Sequence, residues 1–316
     1  MSAKGLGAGR ARPAARGLVL GPAERRREQL VRLLLGTAAW VTALTTVAVV
    51  FVLARETLAF FRDPLVSVVE FFTSDTWTPL FVDKHFGIAP LLSGTLLVTL
   101  IAMLVGVPLG IGSAIYLSEF AAPAVRRRLQ GALELLAGIP TVVLGYFALL
   151  FVTPWLQSFI PGLKLFNALS AGLVMGFMIM PVISSLSADA MQAVPVALRE
   201  AGYGLGASKL DVTLKVVVPA ALSGILAAVI LAFSRAVGET MIVTLAAGQR
   251  PLLTLDPRET IATMTSFIVQ AATGDQPAGS LAVRSLYAVA ATLFVITFLL
   301  NLATQALVRR FGERYE

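Results

Sequence analysis

The sequence contains no cysteine and a single histidine, His85, among its 316 residues. The absence of cysteine excludes disulfide bonds, thiolate metal sites and cysteine nucleophiles. One histidine is too few for a histidine-built metal site, and we interpret His85 as an exposed loop residue. Charge is also scarce: 14% of the residues are charged, whereas soluble domains average about 25%. With 57% hydrophobic residues and a mean hydropathy of +0.84, this composition predicts a polytopic membrane protein.

The sequence also lacks a nucleotide-binding P-loop. That loop requires the pattern G-x-x-x-x-G-K-[ST], in which a lysine follows a glycine. None of the five lysines in the chain follows a glycine. Any ATP-driven step would therefore need a partner protein to hydrolyse the nucleotide.

Positive charge is concentrated at the start of the chain, where residues 1–32 hold eight Lys or Arg and two Glu. The pI near 10.1 alone could suggest nucleic-acid binding. A basic cytoplasmic tail beside anionic lipid headgroups explains the same excess. We therefore expect membrane lipid, and not nucleic acid, as the partner of this tail.

Apolar runs predict about six transmembrane helices, at 33–54, 86–117, 132–153, 169–187, 220–245 and 285–307. The first run has 22 uncharged residues, enough to cross a hydrocarbon core of about 30 Å, and it is longer than a secretory signal. Because the second run carries Gly106 and Pro108, we predict that its helix is kinked or broken. Between the first two runs we predict an interfacial helix, with Trp77 and several phenylalanines at headgroup level.

Lys and Arg are distributed unevenly between the two sides of these predicted spans. With the N-terminus inside, the cytoplasmic segments hold 17 of them and the external segments hold 7. This bias predicts that both termini are cytoplasmic. We therefore predict an all-α polytopic membrane protein with a cytoplasmic basic tail (1–32), a first transmembrane helix with an external segment (33–85), and a main membrane domain (86–310).

One cytoplasmic loop, residues 188–219, is patterned as two short helices. Pro195 suits a first helical turn, and Gly206 can adopt the left-handed conformation that ends a helix. Ser208, followed three residues later by Asp211, predicts a capping box at the start of a second helix. The pattern predicts a helix–turn–helix on the cytoplasmic surface.

The apolar stretch 225–248 carries two charges, Arg235 and Glu239, four residues apart. In a continuous helix they would lie on one face together with Thr240, and each charge at the bilayer centre would cost about 2.5–3.5 kcal/mol. One interpretation is a structural ion pair. The other is an anion pathway, in which Arg235 attracts an oxyanion and Glu239 weakens the hold enough to allow release.

The cytoplasmic loop resembles the docking motif of bacterial ABC importer permeases, written E-A-A, three residues, G, nine residues, I-x-L-P. The matching positions are Glu200, Ala201, Gly206, Val216, Val218 and Pro219. Gly202 replaces the second alanine of the motif. In that family the loop inserts into a groove of the ATP-hydrolysing subunit, so the resemblance implies that Glu200, Ala201, Gly202, Gly206 and Pro219 dock an ATPase.

Further strings resemble the phosphate-specific members of that family. "RAVGETMIVTLAAG" is similar to their R-A-x-G-E-T helix, and other matching strings are "YLSEFA", "AGIPTVVLGYFAL", "MIMPVISSLSADAMQAVP" and "TMTSFIVQAATGDQPAGS". The resemblance implies a type I (MetI-like) importer permease in the bacterial inner membrane. The family's substrate-pathway role would fall on Arg235, Glu239 and Thr240.

The resemblance also implies partners: a second phosphate permease forming a heterodimer, two ATPase subunits and an extracytoplasmic phosphate-binding protein. This chain itself would bind no cofactor, since ATP and Mg would belong to the ATPase. Three alternatives stay open from the residues. They are a permease for another oxyanion such as sulfate, molybdate or phosphonate, an ion-driven secondary transporter, and a membrane scaffold or sensor.

Overall fold

A computed structural model of the protein describes residues 22–277 and 279–311, and side chains within 27–306 except at 278. The predictions for residues 1–21 of the basic tail lie outside the described residues. The helices are α1 Pro22–Phe61, α2 Val68–Thr73, α3 Ala89–Ile115, α4 Pro123–Ala137, α5 Thr141–Phe147, α6 Thr153–Gln157, α7 Ala168–Gln192, α8 Val196–Gly204, α9 Lys209–Val212, α10 Val218–Ala220, α11 Leu222–Val237, α12 Met264–Thr273 and α13 Leu281–Phe311. Single π-helical turns follow α3, α5, α9 and the break after α11, at Tyr116–Phe120, Ala148–Val152, Thr213–Val217 and Val243–Ala247.

The chain divides into two units, residues 1–52 and 53–316. In the first unit, none of the described side chains of α1 is buried. An apolar helix of this kind suits contact with lipid tails or with another apolar surface. The second unit contains the packed core and the candidate site.

Within the described residues, four helices are long and apolar enough to cross a membrane, and there are up to six crossings if each of two bent helix pairs counts as one span. The predicted spans 132–153 and 220–245 fall in these two bent regions and are not single unbroken helices. The first is bent by 88° between α4 and α5, and the second region is bent by 68° between α10 and α11. Pro140 explains the first bend, because proline has no N–H to donate and disfavours helical geometry at the residue before it.

The second span, predicted to be kinked or broken, is not broken, since α3 runs without interruption through Gly106 and Pro108. The glycines of α3 instead allow α7 to pack closely against it. A Cβ added at Gly106 would lie 2.7 Å from Cγ1 of Ile179, and one added at Gly176 would lie 2.9 Å from the carbonyl oxygen of Ala102. The two backbones approach too closely for any side chain at these positions, so α3 and α7 form the central pair of the core.

An aromatic cluster covers the external side of this core. Trp77 is 2% exposed, and its ring lies 5.0 Å from that of Phe267 at an interplanar angle of 88°. Phe60, Phe71 and Phe86 complete the cluster. Trp77 is therefore enclosed by protein and does not present its ring to lipid headgroups. Phe267 belongs to α12, a helix within the predicted loop 246–284 that begins with a capping box between Thr263 and Ser266.

The α3–α7 contact leads to a stability prediction. Gly176→Val would force its side chain into the carbonyl oxygen of Ala102 and Cβ of Val105, both 2.9 Å from the added Cβ. We expect a loss of about 1–3 kcal/mol, the usual effect of overpacking, seen as a lower apparent melting temperature of the detergent-purified protein. Gly112→Val is the matched control in α3, because no atom lies within 4 Å of its added Cβ. Equal melting temperatures for the two variants would contradict close packing at Gly176.

Candidate functional site

The helix that carries Arg235 ends two residues later. α11 stops at Val237, Gly238 forms its C-cap, and the next helical segment begins at Met241. Glu239 lies in the break, where its backbone N–H bonds to the carbonyl oxygen of Ala236 at 3.2 Å. The prediction that Arg235 and Glu239 share one face of a continuous helix is therefore wrong. Gly238 is the sequence signal for this break, because glycine is a weak helix former and a common helix terminator.

Glu239 caps the helical segment after the break. Its Oε1 accepts hydrogen bonds from the backbone N–H groups of Met241 at 3.1 Å and of Ile242 at 3.3 Å. These N–H groups have no partner within the helix, and a carboxylate is favourable at the positive end of the helix dipole. The carboxylate is thus held in place by the backbone that it caps.

A narrow gap beside Glu239, too tight to admit a water molecule and called the cleft below, is lined by four threonines, Thr95 and Thr99 of α3 and Thr263 and Thr265 near the start of α12. Thr265 donates to the carbonyl oxygen of Glu239 at 2.7 Å, and its hydroxyl lies 3.0 Å from that of Thr263. Thr95 accepts from the backbone N–H of Met264 at 3.0 Å.

Among the described residues, the fully buried Oγ1 of Thr99 has no hydrogen-bond partner. Glu239 therefore borders a hydroxyl-lined cleft inside an otherwise apolar core. The site predicted from the sequence does not include these threonines. Their signal was the i, i+4 spacing of Thr95 and Thr99 within an apolar run.

Arg235 lies on the open face of α11, next to the exposed Leu231 and Gly238. Its Nη2 lies 3.8 Å from Sδ of Met178 in α7. In the described part of the chain, no group of opposite charge lies within 4.0 Å of either Arg235 or Glu239. Thr240, the third predicted pathway residue, is half-buried in the break and donates to the carbonyl oxygen of Gly238 at 3.3 Å. The three predicted residues are thus neighbours along the chain, but the structure does not join the two charges as an ion pair.

The predicted helix–turn–helix is present in the cytoplasmic loop. Gly206 has a φ of +81°, and Ser208 caps α9 by accepting from the backbone N–H of Asp211 at 3.2 Å. The hydrogen bond from Lys215, followed by that from Ser208, lowers the pKa of the Asp211 carboxyl below its usual value. The turn between the two helices thus has the cap and the left-handed glycine that its sequence predicts.

The five predicted docking residues lie along this loop. Glu200, Ala201, Gly206 and Pro219 are exposed, whereas Gly202 is half-buried. A Cβ at Gly202 would lie 3.0 Å from Cγ2 of Val212, so the missing side chain lets α8 approach α9 closely. This close approach explains why glycine stands where the resembled motif has alanine. Leu205, 90% exposed at the tip of the loop, is a further candidate contact for the ATPase, in addition to the five predicted docking residues.

Comparisons with known proteins agree with this architecture. Residues 106–315 match the family described as binding-protein-dependent transport system inner membrane component. The chain is 34% identical over 279 residues to the probable ABC transporter permease protein YqgH of Bacillus subtilis, covering 88% of this chain and 90% of the relative. It is 36% identical over 263 residues to the phosphate transport system permease protein PstC of Mesorhizobium japonicum, covering 77% and 79%.

A solved structure shares the fold. A chain in the crystal structure of a bacterial alginate ABC transporter, in complex with an alginate-bound periplasmic protein, superposes with a TM-score of 0.58 at 18% identity. The superposition covers 92% of this chain and 96% of that one. The solved structure supports the fold, and the family match and the relatives confirm the family resemblance of the sequence.

The cap at Glu239 gives a prediction for the site. Glu239→Ala removes both hydrogen bonds to the helix start, and we expect a loss of about 1 kcal/mol in stability. Glu239→Gln keeps an acceptor oxygen at the same place, so its apparent melting temperature should lie between those of wild type and Glu239→Ala. Glu134→Ala, which removes an exposed carboxylate of α4, is the control expected to leave stability unchanged. A Gln variant as unstable as the Ala variant would show that the charge, and not the cap, stabilises the break.

Proposed function

This chain belongs to the family of binding-protein-dependent transport system inner membrane components, and on that premise we propose that it is a permease subunit of an ATP-driven importer of inorganic phosphate. Several relatives that carry the name phosphate transport system permease protein support the substrate, at 32–36% identity. The chain is a transport subunit and not an enzyme. It passes a substrate through the membrane without covalent chemistry.

The observation that carries the proposal is the environment of Arg235. A guanidinium in an apolar span is costly unless it faces a cavity or a partner. Arg235 lies on an exposed face of its helix, and no described carboxylate neutralises it. Guanidinium offers a planar fork of donors that suits phosphate-type oxyanions. A substrate anion would supply the charge that the described residues around Arg235 do not supply.

Glu239 contributes in a different way from that predicted. Its carboxylate is fixed by the helical segment that it caps, four residues along the chain from Arg235. We propose that this fixed negative charge, with the hydroxyls of Thr240 and the neighbouring cleft, keeps the anion from being held too tightly. Passage requires binding that is strong enough for entry and weak enough for release.

The partners follow from the same proposal. A second permease subunit covers the open face of α11, so that the anion path lies between the two subunits. Two ATPase subunits, which bind ATP and Mg, dock on the exposed loop residues Glu200, Ala201, Gly206 and Pro219. A phosphate-binding protein delivers the anion at the external side of a bacterial inner membrane. This chain binds no cofactor of its own.

The proposal is tested by phosphate uptake in cells that lack other phosphate importers. We expect that the chain, co-expressed with its partner subunits, supports ATP-dependent uptake of labelled phosphate that excess sulfate or molybdate does not reduce. Arg235→Gln should reduce this uptake at least tenfold, because it removes the cation that attracts the anion. Arg235→Lys keeps the charge but loses the planar fork, so it should retain an intermediate rate.

Three results would contradict the proposal. Strong competition by sulfate or molybdate would assign the path to another oxyanion. Uptake without ATP in sealed vesicles would indicate an ion-driven transporter. Full uptake by Arg235→Gln, in a complex that assembles normally, would return this arginine to a structural role. Co-purification of the tagged subunits serves as the assembly control.

A second test addresses docking of the ATPase. No atom lies within 4 Å of a Cβ added at either Gly204 or Gly206, but only Gly206 has a positive φ, of +81°. Gly206→Val therefore strains the turn by about 1–2 kcal/mol without a clash. We expect it to weaken ATPase co-purification roughly 5- to 30-fold. Gly204→Val is the matched control and should bind like wild type. Equal binding by both variants would remove the turn from the docking surface.

A further inference from the structure

A largely buried ion pair joins the docking loop to the end of α3. Nη1 of Arg199, in α8, lies 2.6 Å from Oε2 of Glu119, in the π-helical turn that follows α3. The side chains are 19% and 5% exposed. Every other ion pair in the described part of the chain has at least one side chain that is about half exposed or more. Among the described ion pairs, this one is thus the most shielded from solvent. It joins residues that are 80 positions apart in the sequence.

The guanidinium of Arg199 makes a second bond, to the other central helix. Its Nη2 donates to the carbonyl oxygen of Met191, near the end of α7, at 2.7 Å. The second oxygen of Glu119 accepts from the hydroxyl of Ser118 at 2.9 Å. One planar fork thus ties α8 to the ends of both α3 and α7, and both carboxylate oxygens are satisfied. Two directional bonds from one rigid group fix orientation as well as distance.

α3 and α7 continue from this joint to the candidate anion path. The contacts at Gly106 and Gly176 hold the two helices together along their length. α7 carries Met178, whose sulfur lies beside Arg235. α3 carries Thr99, which lines the cleft beside Glu239. A displacement of α8 applied at Arg199 would therefore reach both sides of the site through one packed pair of helices.

Stability is a weak explanation for this pair. Taking two charges out of water costs about as much as their attraction returns, and well-packed apolar residues of similar size are often as stable. What an apolar contact lacks is direction. Neighbouring apolar side chains can slide past one another. The guanidinium of Arg199, hydrogen-bonded to both Glu119 and the carbonyl oxygen of Met191, holds one arrangement.

We propose that Glu119 and Arg199 are positioning residues that transmit movement of the ATPase docking helix to the α3–α7 pair and so to the anion path. The inference rests on the proposed function, because it assumes that α8 contacts an ATPase. Neither residue touches the transported anion. Their role is to make α8 and the cytoplasmic ends of α3 and α7 move as one body when ATP binds and is hydrolysed.

The test measures coupling in the assembled complex, reconstituted in proteoliposomes with its binding protein. Phosphate uptake and ATP hydrolysis are measured on the same sample, and the ratio of phosphate moved per ATP is compared between variants. We expect Glu119→Gln to keep ATP hydrolysis within about twofold but to lower the ratio at least fivefold. Glu119→Asp, which keeps the charge, should recover a substantial part of the ratio.

The double variant Glu119→Leu with Arg199→Met separates position from stability. Its apolar pair leaves no buried unpaired charge, so the complex should assemble even where Glu119→Gln does not. We expect its ratio to stay low, because the directional joint is gone. Glu28→Gln breaks a similar Glu–Arg pair of 2.7 Å that is exposed to solvent, and it should keep the wild-type ratio. A wild-type ratio in the double variant would overturn the inference and leave the pair as a structural contact.

A distance measurement tests the mechanical link directly. The chain has no native cysteine, so spin labels can be placed at Val196→Cys in α8 and Leu104→Cys in α3, both exposed positions. With cysteine-free partner subunits, the distance should stay constant on adding a non-hydrolysable ATP analogue to wild type and should change in the double variant. A change in wild type would overturn the inference.

These outcomes are distinct from failure of the proposed function. If the wild-type complex moves another oxyanion instead of phosphate, the substrate is reassigned and the ratio is measured with that anion. If it hydrolyses ATP but moves no anion, both proposals are overturned.

Discussion

The close contact between α3 and α7 is the constraint on which the rest of the structure depends. Glycines on both helices allow backbone-to-backbone approach, and a side chain at Gly106 or Gly176 would collide with the opposite helix. Since lipid tails are as apolar as leucine, helices in a membrane gain little from hydrophobic burial and associate largely through such close packing. The candidate cleft, the aromatic cluster and the docking loop are each attached to this pair.

The break after α11 is possible because its polar groups are satisfied locally. Irregular backbone within a membrane is tolerated where protein encloses it or where it lines a water-filled cavity. The first condition is met on the inner side of this break. Glu239 and Thr265 bond to the backbone on the inner side. Gly238 and Arg235 lie exposed on the outer side, where the proposed anion path would supply the cavity.

Most of the fold was predictable from the sequence, because hydropathy, capping residues and the left-handed Gly206 act over short distances. Four of the six predicted spans are single long helices, the other two fall in bent helix pairs, the helix–turn–helix is present, and the family is confirmed. The errors concern positions where distant contacts decide the outcome. α3 stays continuous through Pro108 because α7 packs against it, and Trp77 is buried because α12 supplies Phe267. For the site, the two charges in an apolar run pointed to Arg235 and Glu239. Their separation depends on a break in the helix, and a single glycine at 238 is not enough to predict that the helix ends there.

The exposed position of Arg235 limits how this chain can exist in a membrane. A lone subunit would present the guanidinium to lipid tails, at a cost of about 2.5–3.5 kcal/mol on the mildest scale. A partner that merely covered the face with apolar side chains would increase this cost, because burial without a counter-charge removes the remaining solvent. The covering surface must therefore leave water, or bring polar groups, beside Arg235. A second permease across a hydrated path meets this requirement, and a path that is hydrated at a cation is suited to an anion. The exposed charge of Arg235 would thus have two consequences: it calls for a partner subunit, and it favours an anion as the transported substrate.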